Sequence, residues 1–141
     1  MYDAIVVAVA LFNKGATSRG LIEKAAKMLN PGGQITLVHV MDELPAYIAA
    51  SVSKEQLSGH RRSAMTQLES LATVARGKDV RIDMRSGMPS VGILESAKES
   101  KADIIMIASH SPGLKDYFIG STATRVVRHA HCSVHIARKR D

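Results

Sequence analysis

Tryptophan is absent from this chain, and the other residues that usually carry a strong signal are scarce: one Cys, four Pro, two Phe and three Tyr. A lone cysteine, Cys132, cannot close an internal disulfide, so the fold is no disulfide-stapled scaffold and the expected setting is the cytoplasm. Val134 and Ile136 beside it suggest a strand, and therefore an inert, half-buried thiol. So few rings leave no stacking platform for single-stranded nucleic acid. No apolar run approaches the ~20 residues that cross a bilayer. The opening Met1-Tyr2-Asp3-Ala4 lacks the basic start of a signal peptide. Internal repeats, low-complexity tracts and linkers are missing as well.

Charge of one sign is in excess: 19 Lys and Arg against 13 Asp and Glu, a formal net charge of +6. The basic residues are scattered, with small clusters only at Arg61-Arg62 and Arg138-Lys139-Arg140. Such a surface attracts polyanions weakly and defines no specific nucleic-acid site. His129, His131 and His135 raise the question of a metal. His131 and His135 on one strand would stand about 13 Å apart, too far to share an ion, so no metal site is assigned.

What is present is a strong alternation of strand and helix. Hydrophobic residues make up 45% of the 141, enough for one packed domain over residues 1–141. Ala4 to Val9 is a continuous apolar run, the pattern of a strand buried on both faces of a parallel sheet. Leu21, Ile22, Ala25, Ala26, Met28 and Leu29 recur at helical spacing until Asn30-Pro31-Gly32-Gly33 stops them. Gln34 to Val40 reads as a second strand and Met41 to Val52 as a long loop. Ser53 and Gln56 fit a capping box, and behind them Leu57, Ala64, Met65, Leu68, Leu71, Ala72 and Ala75 mark one helix face, with Gly77 as its stop. Asp79 to Arg85 alternates apolar and charged residues, as a half-exposed strand near an edge does. Gly87-Met88-Pro89-Ser90 opens a third helix, with Val91, Leu94 and Ala97 expected inward and Ile93 beside them. Ala102 to Ala108, Ser121 to His129 and Cys132 to Ala137 complete the series as strand, helix and strand. Five strands and four helices in alternation predict an α/β fold, an open, doubly wound five-stranded parallel sheet with helices on both faces; the strand order expected for it is 3-2-1-4-5. Ligands of such sheets bind beyond the carboxyl ends of the strands, where the strand order reverses. Here those are the ends of the first and fourth strands.

Chemistry concentrates where the fourth strand gives way to the fourth helix. Ile104-Ile105-Met106-Ile107 runs into Ala108-Ser109-His110-Ser111-Pro112-Gly113-Leu114, and a helix then starts on Gly120-Ser121-Thr122. The free N–H groups and positive dipole end of a helix start favour an anion, and a phosphate suits it. The competing reading makes Ser121 an ordinary N-cap that serves only its own helix. No Gly-x4-Gly-Lys-Ser/Thr loop is present. Ser109 and His110 have no acid placed to orient the imidazole, which argues against a hydrolase triad. His110 is open to two roles, a phosphate contact or the tying of loop carbonyls.

These residues resemble the universal stress protein family across essentially the whole chain. The family pattern Gly-x2-Gly-x9-Gly-Ser/Thr lies between the fourth strand and helix, where this chain has Ala108-Ser109-His110-Ser111 and Gly120-Ser121. Arg125-Val126-Val127-Arg128-His129-Ala130 and Cys132-Ser133-Val134 look like its closing helix and strand, and Gly87-Met88-Pro89 resembles its Gly-x-Pro. The Ala-Ser-His-x-Pro form is similar to the subgroup of bacterial proteins called type F and type G. The resemblance implies a cytoplasmic stress-response protein with a regulatory or sensing role. It also implies a homodimer, paired through the last strand at Ser133 to Arg138, with a tetramer left open. In one branch of the family it implies bound ATP, with or without Mg²⁺, and at most slow hydrolysis or autophosphorylation. The other branch consists of interaction modules without nucleotide that regulate a protein partner such as a transporter.

Three departures from the family pattern bear on the choice of branch. Ala108 and Ser111 replace the two opening glycines. Eight residues rather than nine separate Ser111 from Gly120. Ala10 stands where the family has an acid facing the adenosine, a contact worth on the order of 1 kcal/mol. Carried over residue by residue, the nucleotide site comprises Ala8, Ala10 and Val40 around the adenine and Ala108, Ser109, His110, Ser111, Gly120, Ser121, Thr122 and Ala123 around the phosphates.

Overall fold

The computed structural model describes residues 1–42, 44–109 and 119–138. Five parallel strands form one sheet in the expected order β3-β2-β1-β4-β5. They are β1 (Tyr2–Ala8), β2 (Leu29–Met41), β3 (Asp79–Ser86), β4 (Ile104–Ala108) and β5 (Ser133–Ala137). The helices are α1 (Ala16–Met28), the single turn α2 (Ala46–Ala49), α3 (Lys54–Ala72), α4 (Pro89–Glu99) and α5 (Ser121–His129). No helix among the described residues is long and apolar enough to cross a membrane.

Alternate residues of the inner strands feed two separate cores. Ile5, Val7, Ile35, Leu37 and Met106 pack with Leu21, Ile22 and Ala25 of α1 and Leu68 and Leu71 of α3. Val6, Val38, Ile105 and Ile107 face the other way, onto Ile93 and Ala97 of α4 and Ala123 and Val126 of α5. A strand sandwiched in this way has no solvent face, which is why the Val- and Ile-rich runs carry no polar alternation. β3 sits at one edge and is only partly covered. There Arg85 bonds Asp83 at 2.9 Å and Glu95 at 3.3 Å and also meets Glu99, tying the edge strand to α4.

Several local expectations need correction. The Asn30–Gly33 stretch is no simple break between helix and strand. Leu29 already pairs with Tyr2, and the register resumes at Ala4 with Gln34, so the intervening residues form an irregular bulge inside β2. Gly33 is needed there because a Cβ would stand 2.7 Å from the Asp3 carbonyl oxygen. The expected loop from Met41 to Val52 holds the helical turn α2. The Ser53–Gln56 capping box is present in both directions, whereas Leu57 just behind it is 37% exposed.

The inward face of α4 differs most. Val91 is exposed, and the buried positions are Ser90, Gly92, Ile93, Ser96 and Ala97. Small residues on that face let α4 settle directly onto the sheet. A Cβ on Gly92 would come within 2.5 Å of the Val40 side chain. Beyond α4, the Ala102 N–H bonds the Ala97 carbonyl and the Lys101 N–H that of Lys98. This is a Schellman closure, and it places Lys101 at φ 53, where a β-carbon costs about 1 kcal/mol or more and glycine is the usual occupant.

Gly92→Ala should therefore overpack the α4–β2 contact. Denaturant unfolding is expected to show a loss of about 1–3 kcal/mol, and unchanged stability would show that Val40 has room to move.

Candidate functional site

The strand order reverses between β2 and β4, the two neighbours of β1. A cleft of about 390 Å³ opens there, at the carboxyl ends of the three strands. Its walls come from the end of β1 and the turn beyond it, the end of β2, the first turns of α4, the end of β4 and the start of α5. A volume in the ~300–1,000 Å³ range suits a small molecule.

Nine of the eleven residues assigned from the sequence line this cleft: Ala8, Ala10, Val40, Ala108, Ser109, Gly120, Ser121, Thr122 and Ala123. His110 and Ser111 lie outside the described residues, as do Lys115 and Tyr117. Tyr47 is 78% exposed and does not line the cleft.

The exit from β1 is held by bonds to its surroundings. The Val9 N–H donates to the Val38 carbonyl at 2.8 Å. His39 Nδ1 meets the Val9 carbonyl at 2.8 Å; since a carbonyl only accepts, Nδ1 carries the proton. The Ala10 N–H donates to the Ser18 hydroxyl at 2.9 Å, and that hydroxyl donates to the Ala10 carbonyl at 3.2 Å. Ser18 is 1% exposed. The chain is thereby turned out of the sheet and away from the cleft floor, leaving Ala8 and Ala10 as a smooth apolar wall.

On the opposite wall α5 starts at the cleft. Gly120, not Ser121, is the N-cap, and Ser121 and Thr122 are the first helical residues. The reading of Ser121 as its own helix's cap is corrected accordingly. The Gly120 N–H bonds the Ser109 carbonyl at 2.6 Å, which pins the helix start to the end of β4. Ser109 is buried and Ser121 exposed. The N–H groups of the first turn have no partner within a helix by construction, and no acidic residue occupies that turn. The result is an electropositive helix end at one side of the cleft and apolar surface at the other.

Sequence reasoning missed several lining residues: His39, Asp42, Phe12, Pro89 and Ile93. Asp42 is the one carboxylate among the described residues of the wall. The clue to it was its place two residues after Val40, just past the end of a strand adjacent to β1. Away from the cleft, no group of three or more His, Cys, Asp or Glu able to hold a metal occurs among the described residues.

Ser18→Ala would leave both polar atoms of Ala10 without their partner. A loss of about 1–3 kcal/mol is expected in denaturant unfolding, with faster hydrogen exchange at the Ala10 amide. Unchanged exchange would mean that the β1 exit is held by other bonds.

With this geometry described, comparison with known proteins is informative. The family model described as the universal stress protein family matches residues 1–138. A relative called universal stress protein A homolog 2, from Coxiella burnetii, is 29% identical over 140 residues, covering 94% of this chain and 92% of its own. Among solved structures, the universal stress protein of Archaeoglobus fulgidus in complex with dAMP superposes with a TM-score of 0.66 at 20% identity, covering 98% of each chain. A universal stress protein in complex with cAMP gives a TM-score of 0.70 at 15% identity, covering 96% of each chain. At these identities the two superpositions establish the shared fold.

Proposed function

Because the chain belongs to the universal stress protein family, we propose that it binds an adenine nucleotide, ATP in the first instance, in the cleft between β1 and β4, and that it serves the cytoplasm as a regulatory or sensing protein. The observation that carries this reading is the start of α5, which opens onto a cavity of about 390 Å³ at the point of strand reversal. An anion there meets free backbone N–H groups and the positive end of a nine-residue helix. The complexes of two relatives with cAMP and dAMP agree with adenosine as the ligand class.

In this arrangement the phosphates rest against Gly120, Ser121, Thr122 and Ala123, with Ser109 beneath them and His110 and Ser111 supplied by the segment that follows. The adenine lies by Val40 and Ala8. Ala10 offers no carboxylate and its backbone groups are already engaged by Ser18, so the ribose hydroxyls are met by Asp42 instead. No carboxylate pair stands at the phosphate end among the described residues, so Mg²⁺ would arrive bound to the nucleotide and any hydrolysis is slow.

The second reading is a dimeric module without nucleotide, acting on a protein partner. Ala10 favours it, since the adenosine end of the cleft loses a polar contact. In either case the protein pairs as a homodimer through the edge strand β5. Val134 and Ile136 are only partly buried there, and an apolar edge strand left open invites pairing. Ile136→Lys should shift the sizing profile from dimer to monomer, and a dimer that persists would move the interface elsewhere.

Calorimetric titration of the nucleotide-stripped protein with ATP and Mg²⁺ distinguishes the two readings. Micromolar binding supports the first, and no binding up to millimolar ATP supports the second. Thr122→Glu is the decisive variant. A carboxylate in the first turn suits the helix itself, so the fold is expected to persist while a phosphate is repelled and affinity drops at least tenfold. Asp42→Asn should cost about five- to tenfold, in line with one lost polar contact.

A further inference from the structure

A second cavity of about 390 Å³ lies at the other end of the sheet, between the last turns of α4 and α5. Its floor is apolar. Ile105 is fully buried, Ala97 nearly so, and Leu94 is half-buried. Lys98, Lys101, His129 and His131 stand around it, all four exposed, and no Asp or Glu lines it among the described residues. The acids nearest in sequence are engaged elsewhere: Glu95 and Glu99 pair with Arg85, and Asp103 accepts the N–H groups of Asp3 and Ala4 at 2.8 and 3.0 Å.

Basic residues in the last turn of a helix ordinarily offset its negative end, and Lys98 and His129 are placed to do so. That explanation does not account for the backbone of Lys101. It lies beyond α4, in the one left-handed non-glycine conformation among the described residues. Glycine would relieve the strain. Strain kept at a cavity mouth in order to hold a charged side chain there points to use rather than to folding. Cys132 also lines the cavity. Burial, and then the charge of Asp103, push its thiol above the ordinary cysteine range, so it contributes soft apolar wall and alkylates slowly.

We propose that this cavity is a second small-molecule site, separate from the nucleotide cleft, for an apolar carboxylate: a hydrocarbon body over Ile105, Ala97 and Leu94, with its carboxylate held between Lys98 and Lys101. Charge selects the head group, because Lys98, Lys101, His129 and His131 on the rim are all basic. The shape of the floor selects the body, because nothing polar meets it there.

Cys132 is the only cysteine in the chain, which makes it a reporter free of background. The test follows its alkylation by neutral iodoacetamide in the intact protein, with octanoate and with octanamide as probes. Octanoate is expected to slow the reaction at least fivefold at saturation, octanamide much less, and saturating ATP should leave the protection in place. Lys101→Gly should raise the melting temperature by roughly 2–5 °C, as relief of a left-handed residue predicts, and weaken octanoate protection at least threefold. Equal protection by the neutral amide, or no protection up to millimolar octanoate, would overturn the proposal. So would a Lys101→Gly protein that is more stable yet binds octanoate unchanged.

Discussion

Two backbone residues at the exit of β1, Val9 and Ala10, set the geometry on which the cleft depends. A parallel strand that ends at a strand reversal must leave the sheet without abandoning its last polar atoms to an apolar interior. Here each of them has a partner: Val38 for one N–H, His39 for one carbonyl, and the buried Ser18 hydroxyl for both groups of Ala10. Because the chain is turned away at that point, the space beside β4 stays open. The start of α5, tied to Ser109 through Gly120, then faces apolar wall rather than more backbone.

The two cores on either side of the sheet explain why that opening is stable. The α1 and α3 face is built from large aliphatic side chains. The α4 face is closer-fitting, with serines, glycine and alanine turned inward. One consequence is a buried Ser96 hydroxyl with no partner among the described residues, a cost accepted for the short distance between helix and sheet. Another is that Val40, at the cleft, has its position set by Gly92 on α4.

Much of this was legible in the residues. Continuous Val and Ile runs identified inner strands, the alternation in Asp79 to Arg85 identified an edge, and the alternation of elements indicated a doubly wound sheet, whose expected order reverses between the neighbours of β1. The capping box at Ser53 and Gln56 was readable because it is purely local. The inward face of α4 was not, since hydropathy ranks Val91 above Ser90, Gly92 and Ser96, whereas close packing chooses by size. Asp42 and His39 escaped notice for a related reason. A single polar residue at a strand end carries no periodic signal, and its meaning depends on which strand lies beside it. The left-handed turn at Lys101 left no trace either, because the sequence offers a lysine where that conformation would suggest glycine.

The two rims of the sheet are unequal, and this limits how copies of the chain can grow together. Along β3, Arg81, Asp83 and Arg85 interrupt the strand with charge, and Arg85 is clamped by carboxylates from its own strand and from α4. Extending the sheet past that rim would bury fixed charges. The β5 rim has no such barrier in Val134, His135 and Ile136. A ribbon needs two adhesive sides, and the proposed pairing through β5 uses the one rim without such charges. Under that proposed pairing, strand-to-strand growth closes on itself after a single addition, and continuous sheets and fibres are disfavoured.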